Sequence, residues 1–298
     1  MEIKMRSALL SAVCTVLALF AAPISAKPPA SNPESTQIEW IDLSNDMSRS
    51  DLASFEVLKF GPSADKNVRR MFIFPKDADD GIYGIDVSHH NGVVDWQAME
   101  KSGVKFAYMK ASQGDRFRDP RFAANWKSTG SNIRRGAYHF LTADKPGKDQ
   151  AKAYLAVLEA AGGLMPEDLA PVVDLEWDFV KQGGKQVDRW ETLTPDQIVK
   201  VVSDFTAEVK AATGRTPIIY TAASWWNARV KENLALKAHP HWIADYRALS
   251  IKNKAPQSVR QHEHLVWQFT DSGMLDGFAR RFDVNKLNAA SLDRLSGK

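Results

Sequence analysis

Of the 298 residues only one is cysteine, Cys14, and it lies in the first 26 residues. The chain beyond Ala26 therefore has no thiol, which excludes disulfides, thiolate metal sites and a cysteine nucleophile. A surplus of charge is missing too. The 39 Lys and Arg nearly balance the 36 Asp and Glu, leaving +3, and loss of Glu2, Lys4 and Arg6 with the N-terminal stretch would lower this by one. So weak a charge argues against nucleic acid as a partner and only mildly favours an anionic polymer. There is no phosphate-cradling G-x-x-x-x-G-K-[ST], no G-x-S-x-G elbow and no H-E-x-x-H helix. NTPase, serine esterase and zinc protease readings lack support. No segment repeats another.

Lys4 and Arg6 form a basic start, Ser7 to Phe20 is almost wholly apolar or small, and Ala21 to Ala26 is a small-residue stretch. The run is short for a membrane span and reads as an export signal cleaved after Ala26, an uncleaved anchor being the alternative. After removal, no stable membrane insertion is expected. Residues 27–37 (KPPASNPESTQ) read as a linker. Within the extension that continues to residue 81, apolar runs at Phe55–Phe60 and Met71–Phe74 suggest a hairpin or small strand-rich appendage of unreadable function.

From Ile82 strands and helices alternate. "IYGIDV", "KFAYMK", "RRGAYHF", "APVVDLE" and "PIIYT" read as strands. Between them, "DWQAMEKSG", "DPRFAANWKSTG" with Pro after an acidic cap at Asp119, residues 149–161 and the helix opened by the capping box Thr194-Pro195-Asp196-Gln197 read as helices. "HWIADY", "LVWQFT" and "RRFDVN" then follow as strands with little helix between them. The expected fold is α/β: an irregular, TIM-like (β/α) barrel over residues 82–290, with a small strand-rich N-terminal extension and a tail at 291–298.

In such a barrel the active site gathers at the carboxyl ends of the strands. Those ends carry Asp86, Lys110, Tyr138 and His139, Asp174 and Glu176, Tyr220, Asp245 and Tyr246, and Gln268, with Asp283 in the last strand. "APVVDLEWDF" is the most telling stretch. Strand alternation turns Val172, Asp174 and Glu176 to one side and Val173, Leu175 and Trp177 to the other. Two like charges about 7 Å apart need a reason. A solvated strand end is one; a general acid with an electrostatic partner, as glycoside cleavage requires, is the other. The nine tryptophans, eight of them after residue 90, suit sugar-binding faces, although core packing should take more than half.

Eight stretches, "YGIDVSHHNGVVDW", "FAYMKASQG", "RGAYHF", "PVVDLEW", "PIIYT", "WIADY", "VWQFT" and "FDVN", resemble glycoside hydrolase family 25, the lysozyme (N-acetylmuramidase) family, in order and spacing. The resemblance implies a distorted barrel and cleavage of the β-1,4 bond between N-acetylmuramic acid and N-acetylglucosamine in peptidoglycan glycan strands. It makes Glu176 the proton donor and Asp174 the stabiliser of the transition state, through orientation of the sugar's N-acetyl group. Asp86 and Asp283 match acids of the first and last strands. Lys110, Tyr138, His139, Tyr220, Asp245, Tyr246 and Gln268 are the expected substrate-binding residues. No cofactor and no metal is expected: adjacent His89 and His90 in a loop should point apart, and His139 is a single further candidate. The alternative is a non-catalytic module that binds cell-wall glycan, against which the full acid set stands. If the export reading holds, N-terminal sequencing of exported protein should begin near Lys27, and full-length protein recovered only from the cytosol would refute it.

Overall fold

The computed structural model describes residues 37–42, 68–73 and, apart from 232, 247–254, 258, 260–261, 276–277, 279 and 288, residues 81–296. The expected signal, most of the linker and the Phe55–Phe60 run lie outside the described residues. Two strands precede the barrel, β1 (Gln37–Asp42) and β2 (Val68–Ile73). They pair in parallel; the hairpin suggested by the apolar runs has its first arm, Phe55–Phe60, outside the described residues.

The barrel strands are β3 (Ile82–Val87), β4 (Phe106–Gln113), β6 (Arg134–Phe140), β7 (Val172–Asp174), β10 (Ile218–Ala222), β11 (His241–Ala244), β12 (His264–Leu275) and β13 (Arg281–Leu287). Each pairs with the next, in parallel as far as β12. The last strand, β13, runs antiparallel to both β12 and β3 and closes the circuit. Short strand β5 (Phe117–Arg118) folds back on β4, and β8 (Phe179–Gln182) with β9 (Lys185–Asp188) forms a separate hairpin after β7. At the far end of β12, Met274 and Leu275 pair with Met71 and Phe72, so β2 extends the sheet there.

Helices α1 (Trp96–Lys101), α2 (Phe122–Ser128), α3 (Gly147–Ala160), α4 (Pro195–Thr213) and α5 (Ala223–Arg229) separate the first six barrel strands. Among the described residues no helix separates the last three, and α6 (Ala289–Leu295) follows the last of them. The irregularity expected from the weak helical pattern after "PIIYT" is thus present, although α5 directly after that strand was not expected. Local signals explain the ends. Thr194 and Gln197 exchange side-chain and backbone hydrogen bonds at the start of α4, and Gly214 at φ +71° ends it. The expected acidic cap of α2 does not form. Asp119 instead accepts from the backbone of Arg121 and His89, and the helix starts later, at Phe122.

Alternation along the strands sorts the apolar residues into two cores. Ile85, Met109, Ala137, Val173, Ile219 and Ile243 face outward onto helices that supply Trp126, Tyr154, Val202 and Phe205. Phe106, Tyr108, Val172, Ile218, Trp242 and Val266 face inward and fill the barrel. The tryptophans are mostly core: Trp96, Trp126, Trp190, Trp225, Trp226, Trp242 and Trp267 are buried. Helices α3 and α4 meet at backbone contact, where a Cβ on Gly147 would fall on the Val201 carbonyl oxygen. Gly147→Ala should therefore destabilise the fold by about 1–3 kcal/mol despite alanine's better helix propensity. A lowered urea midpoint at unchanged slope would show it; an unchanged midpoint would mean the helices can separate freely.

Candidate active site

The inward residues change character toward the carboxyl ends of the strands. Tyr108 and Trp242 pack with ring centroids 4.9 Å apart, and Tyr220 meets Trp242 edge-on at 5.0 Å. Above this aromatic floor lies a cavity of about 80 Å³ walled by Asp86, Tyr138, Asp174, Glu176, Gln268 and Asp283, among others. It shares Glu176 and Tyr220 with a groove of about 540 Å³ that runs past Trp177, Asp245, Tyr246 and Asp271. Four carboxylates thus come together from β3, β7, the segment after β7, and β13.

A hydrogen-bonded chain orders one side of the cavity. Trp242 donates its Nε1–H to Asn285 Oδ1 at 2.9 Å, and Asn285 Nδ2 donates to Asp86 Oδ2 at 2.8 Å. Gln268 Nε2 donates to the same Asp86 oxygen at 2.9 Å. Gln268 Oε1 accepts from the hydroxyls of Tyr220, at 2.8 Å, and Tyr246. Asp283 lies directly opposite Asp86 across β13 and β3. Burial raises the pKa of both. Asp283 is raised further by the charge of Asp86, whereas the amide donors of Asn285 and Gln268 offset the rise at Asp86.

The other side is less satisfied. Asp174 is buried, and its Oδ1 has no hydrogen-bond partner among the described residues. Desolvation, then the charge of Glu176, holds its pKa well above the carboxylate range, with Lys110 opposing. Glu176 is pushed up to about 7, first by burial and then by Asp86, again against Lys110. Burial is thus the larger cause, ahead of the neighbouring acids. Such a group carries its proton over much of the neutral range and can release it, as a general acid must.

The other expected residues divide. Tyr138 and Tyr220 line the cavity; Asp245 and Tyr246 line the groove. Lys110 is a close electrostatic neighbour of Asp174 and Glu176, its Nζ donating to Gln113 Oε1 at 2.8 Å and lying 4.8 Å from the Phe140 ring centroid. His139 is not at the site. Tyr138 faces inward, so the next residue on the strand faces outward. The His139 ring bonds Ser112 Oγ at 2.8 Å and Gln150 Oε1 at 3.3 Å, stacks on Phe205, and is held neutral by burial, its pKa lowered to about 3. The rings of His89 and His90 do not point apart: their centroids are 3.9 Å apart, and His89 Nδ1 bonds Asp119 at 2.8 Å. Trp177 was expected opposite Glu176, yet both line the groove. The strand ends at Asp174, and alternation ends with it. Asn285 escaped the sequence reading; its place two residues after Asp283 on the inward face of β13 was the available signal.

Comparison with known proteins places this geometry. The model of glycosyl hydrolases family 25 matches residues 85–278. The chain is 32% identical to lysozyme M1 of Streptomyces globisporus over 227 residues, 74% of this chain and 71% of the relative. It is 29% identical to an N,O-diacetylmuramidase of Chalaropsis sp., over 64% of this chain and 89% of that one. Among solved structures, the bacterial lysozyme from Streptomyces coelicolor superposes with a TM-score of 0.63 at 32% identity, covering 74% of this chain and 98% of the other.

The raised Glu176 pKa makes a stability statement. The native state holds this proton more tightly than the unfolded chain does. The resulting stabilisation is complete below the unfolded value near 4.3 and is lost as pH rises through about 7. Glu176→Gln has no such loss. Relative to wild type it should gain on the order of 1–3 kcal/mol in unfolding free energy between about pH 4 and pH 8. Urea unfolding of both proteins across that range measures the gain; a constant difference would mean that the carboxyl group is not buried as described.

Proposed function

Given that the chain belongs to glycosyl hydrolase family 25, we propose that it cleaves the β-1,4 bond between N-acetylmuramic acid and N-acetylglucosamine in peptidoglycan. The observation that carries this reading is Glu176, a carboxyl group with a pKa of about 7, lining a cavity together with Asp174, Asp86 and Asp283. The names of the relatives, a lysozyme and an N,O-diacetylmuramidase, support the bond.

In this mechanism Glu176 gives its proton to the glycosidic oxygen as the bond to the muramic C1 breaks. The bonding electrons leave with the departing oxygen, and positive charge develops on the sugar ring. The unpartnered Oδ1 of Asp174 is free to accept from the acetamido N–H of that sugar and to hold it against the developing charge. Asp86, fixed by Gln268 and Asn285, opposes the developing positive charge when ionised, in a dry setting where a charge counts for more than in water. Water then adds hydroxide to C1 and returns a proton to Glu176. The substrate lies along the groove past Trp177 and Tyr246. Export by the N-terminal signal would bring the enzyme to this polymer.

Glu176→Gln keeps shape and hydrogen bonding but has no transferable proton. Its rate on purified peptidoglycan should fall by roughly 10²–10⁴ while binding persists. Wild-type kcat/KM should decline as pH rises through about 7, as Glu176 loses its proton. Borohydride reduction of the wild-type digest should give muramitol. Glucosaminitol would mean a glucosaminidase and anhydromuramic ends a lytic transglycosylase. Wall binding without any released fragment would mean a non-catalytic glycan-binding module.

A further inference from the structure

The β8–β9 hairpin begins three residues after Glu176. Its turn, Gly183–Gly184, has both residues at positive φ, +58° and +79°, as a two-residue hairpin turn requires. A lone two-stranded hairpin is at best marginally stable, and this one is fastened at its base. Asp178 accepts from the Ala143 backbone at 2.9 Å and from two nitrogens of Arg189 at 2.8 Å each. Asp188 accepts from the backbone of Asp178 and Trp190 and from two nitrogens of Arg229. Arg189 and Arg229 reach on to Asp144 and Glu191. Asp178 and Asp188 are each 3% exposed. The fold therefore fastens the base of this small element, two residues along the chain from Glu176.

Burial falls off from its base to its tip. Val180 pairs with Val187, both half-buried, and Asp188, opposite Phe179, is buried. Phe179 itself is 50% exposed, and two residues on, on the same side of the strand, Lys181 lies opposite Gln186, both exposed. The hairpin holds two lysines, Lys181 and Lys185, and no acid besides the arginine-bound Asp188. A purely structural hairpin would bury its aromatic ring; this one displays it next to a cation and an amide, continuous with the chain that carries Glu176.

We propose that this face is a further substrate-binding surface, on which Phe179 packs against a sugar ring and Lys181 binds a carboxylate of the peptide borne by the glycan strand. The assignment rests on the reading of the chain as a peptidoglycan hydrolase. An aromatic face suits the apolar side of a pyranose, and an exposed cation suits the free carboxylates of a wall peptide.

The test uses the full chain with Phe179→Ala and Lys181→Glu, assayed on intact peptidoglycan and on glycan strands stripped of peptide by an amidase. Phe179→Ala should raise KM roughly 3- to 10-fold on both substrates, with kcat within about twofold. Lys181→Glu should raise KM about tenfold on peptide-bearing strands, less so at high salt, and by much less on stripped strands. Unchanged KM for both variants, or an equal effect of Lys181→Glu on the two substrates, would overturn the proposal. If wild type cleaves neither substrate, the hydrolase reading fails, and binding of the same variants to sedimented walls decides the surface separately. Weakened binding supports it and unchanged binding overturns it.

Discussion

The antiparallel pairing of β13 with β3 is the constraint on which the site depends. It closes the barrel and sets Asp283 directly opposite Asp86 and Asn285 opposite Gly84. Asp86 thereby gains the Asn285 amide, while Gln268 reaches it from β12. A parallel last strand with a covering helix, as in a regular barrel, would not produce this register. The lack of helices among the described residues near the end of the barrel and the arrangement of the acids therefore go together.

Four carboxyl groups over an aromatic floor are costly to the fold. Burial disfavours each charge, and each charge disfavours the next. The cluster responds by binding protons more tightly: the pKa of Asp283 is raised well above the carboxylate range and that of Glu176 to about 7. The same imbalance that weakens the native state at neutral pH keeps an acid ready to donate. Below the floor the inward layer is apolar and well filled, and around it the helices bury most of the tryptophans, so the strain is confined to the mouth.

Around that mouth the fold uses ion pairs as fasteners. Asp178 and Asp188 are buried acids with no part in proton transfer. Each is bound to an arginine and to backbone N–H groups, so its charge is compensated. Asp174 contrasts with them: its Oδ1 has no hydrogen-bond partner among the described residues.

Much of this was legible in the sequence. The first five strands and the four helices between them, the capping box at Thr194 and the ring of polar strand ends could be read because they rest on local rules: period two, period 3.6 and cap chemistry. The Asp174–Glu176 pair was legible for the same reason, and the eight motifs in order carried the family. What needed the tertiary structure was whatever depends on which strand lies beside which. Tyr138 and His139 both end one strand, and only the inward face decides that the tyrosine meets the cavity and the histidine the helices. Asn285 looks ordinary until β13 is laid antiparallel against β3. Asp119 resembled a helix cap until His89 was brought to it from 30 residues away. Local sequence determines which elements form and which residues could do chemistry; closure of the barrel decides which carboxylates meet, and it is that proximity, with burial, that sets their protons.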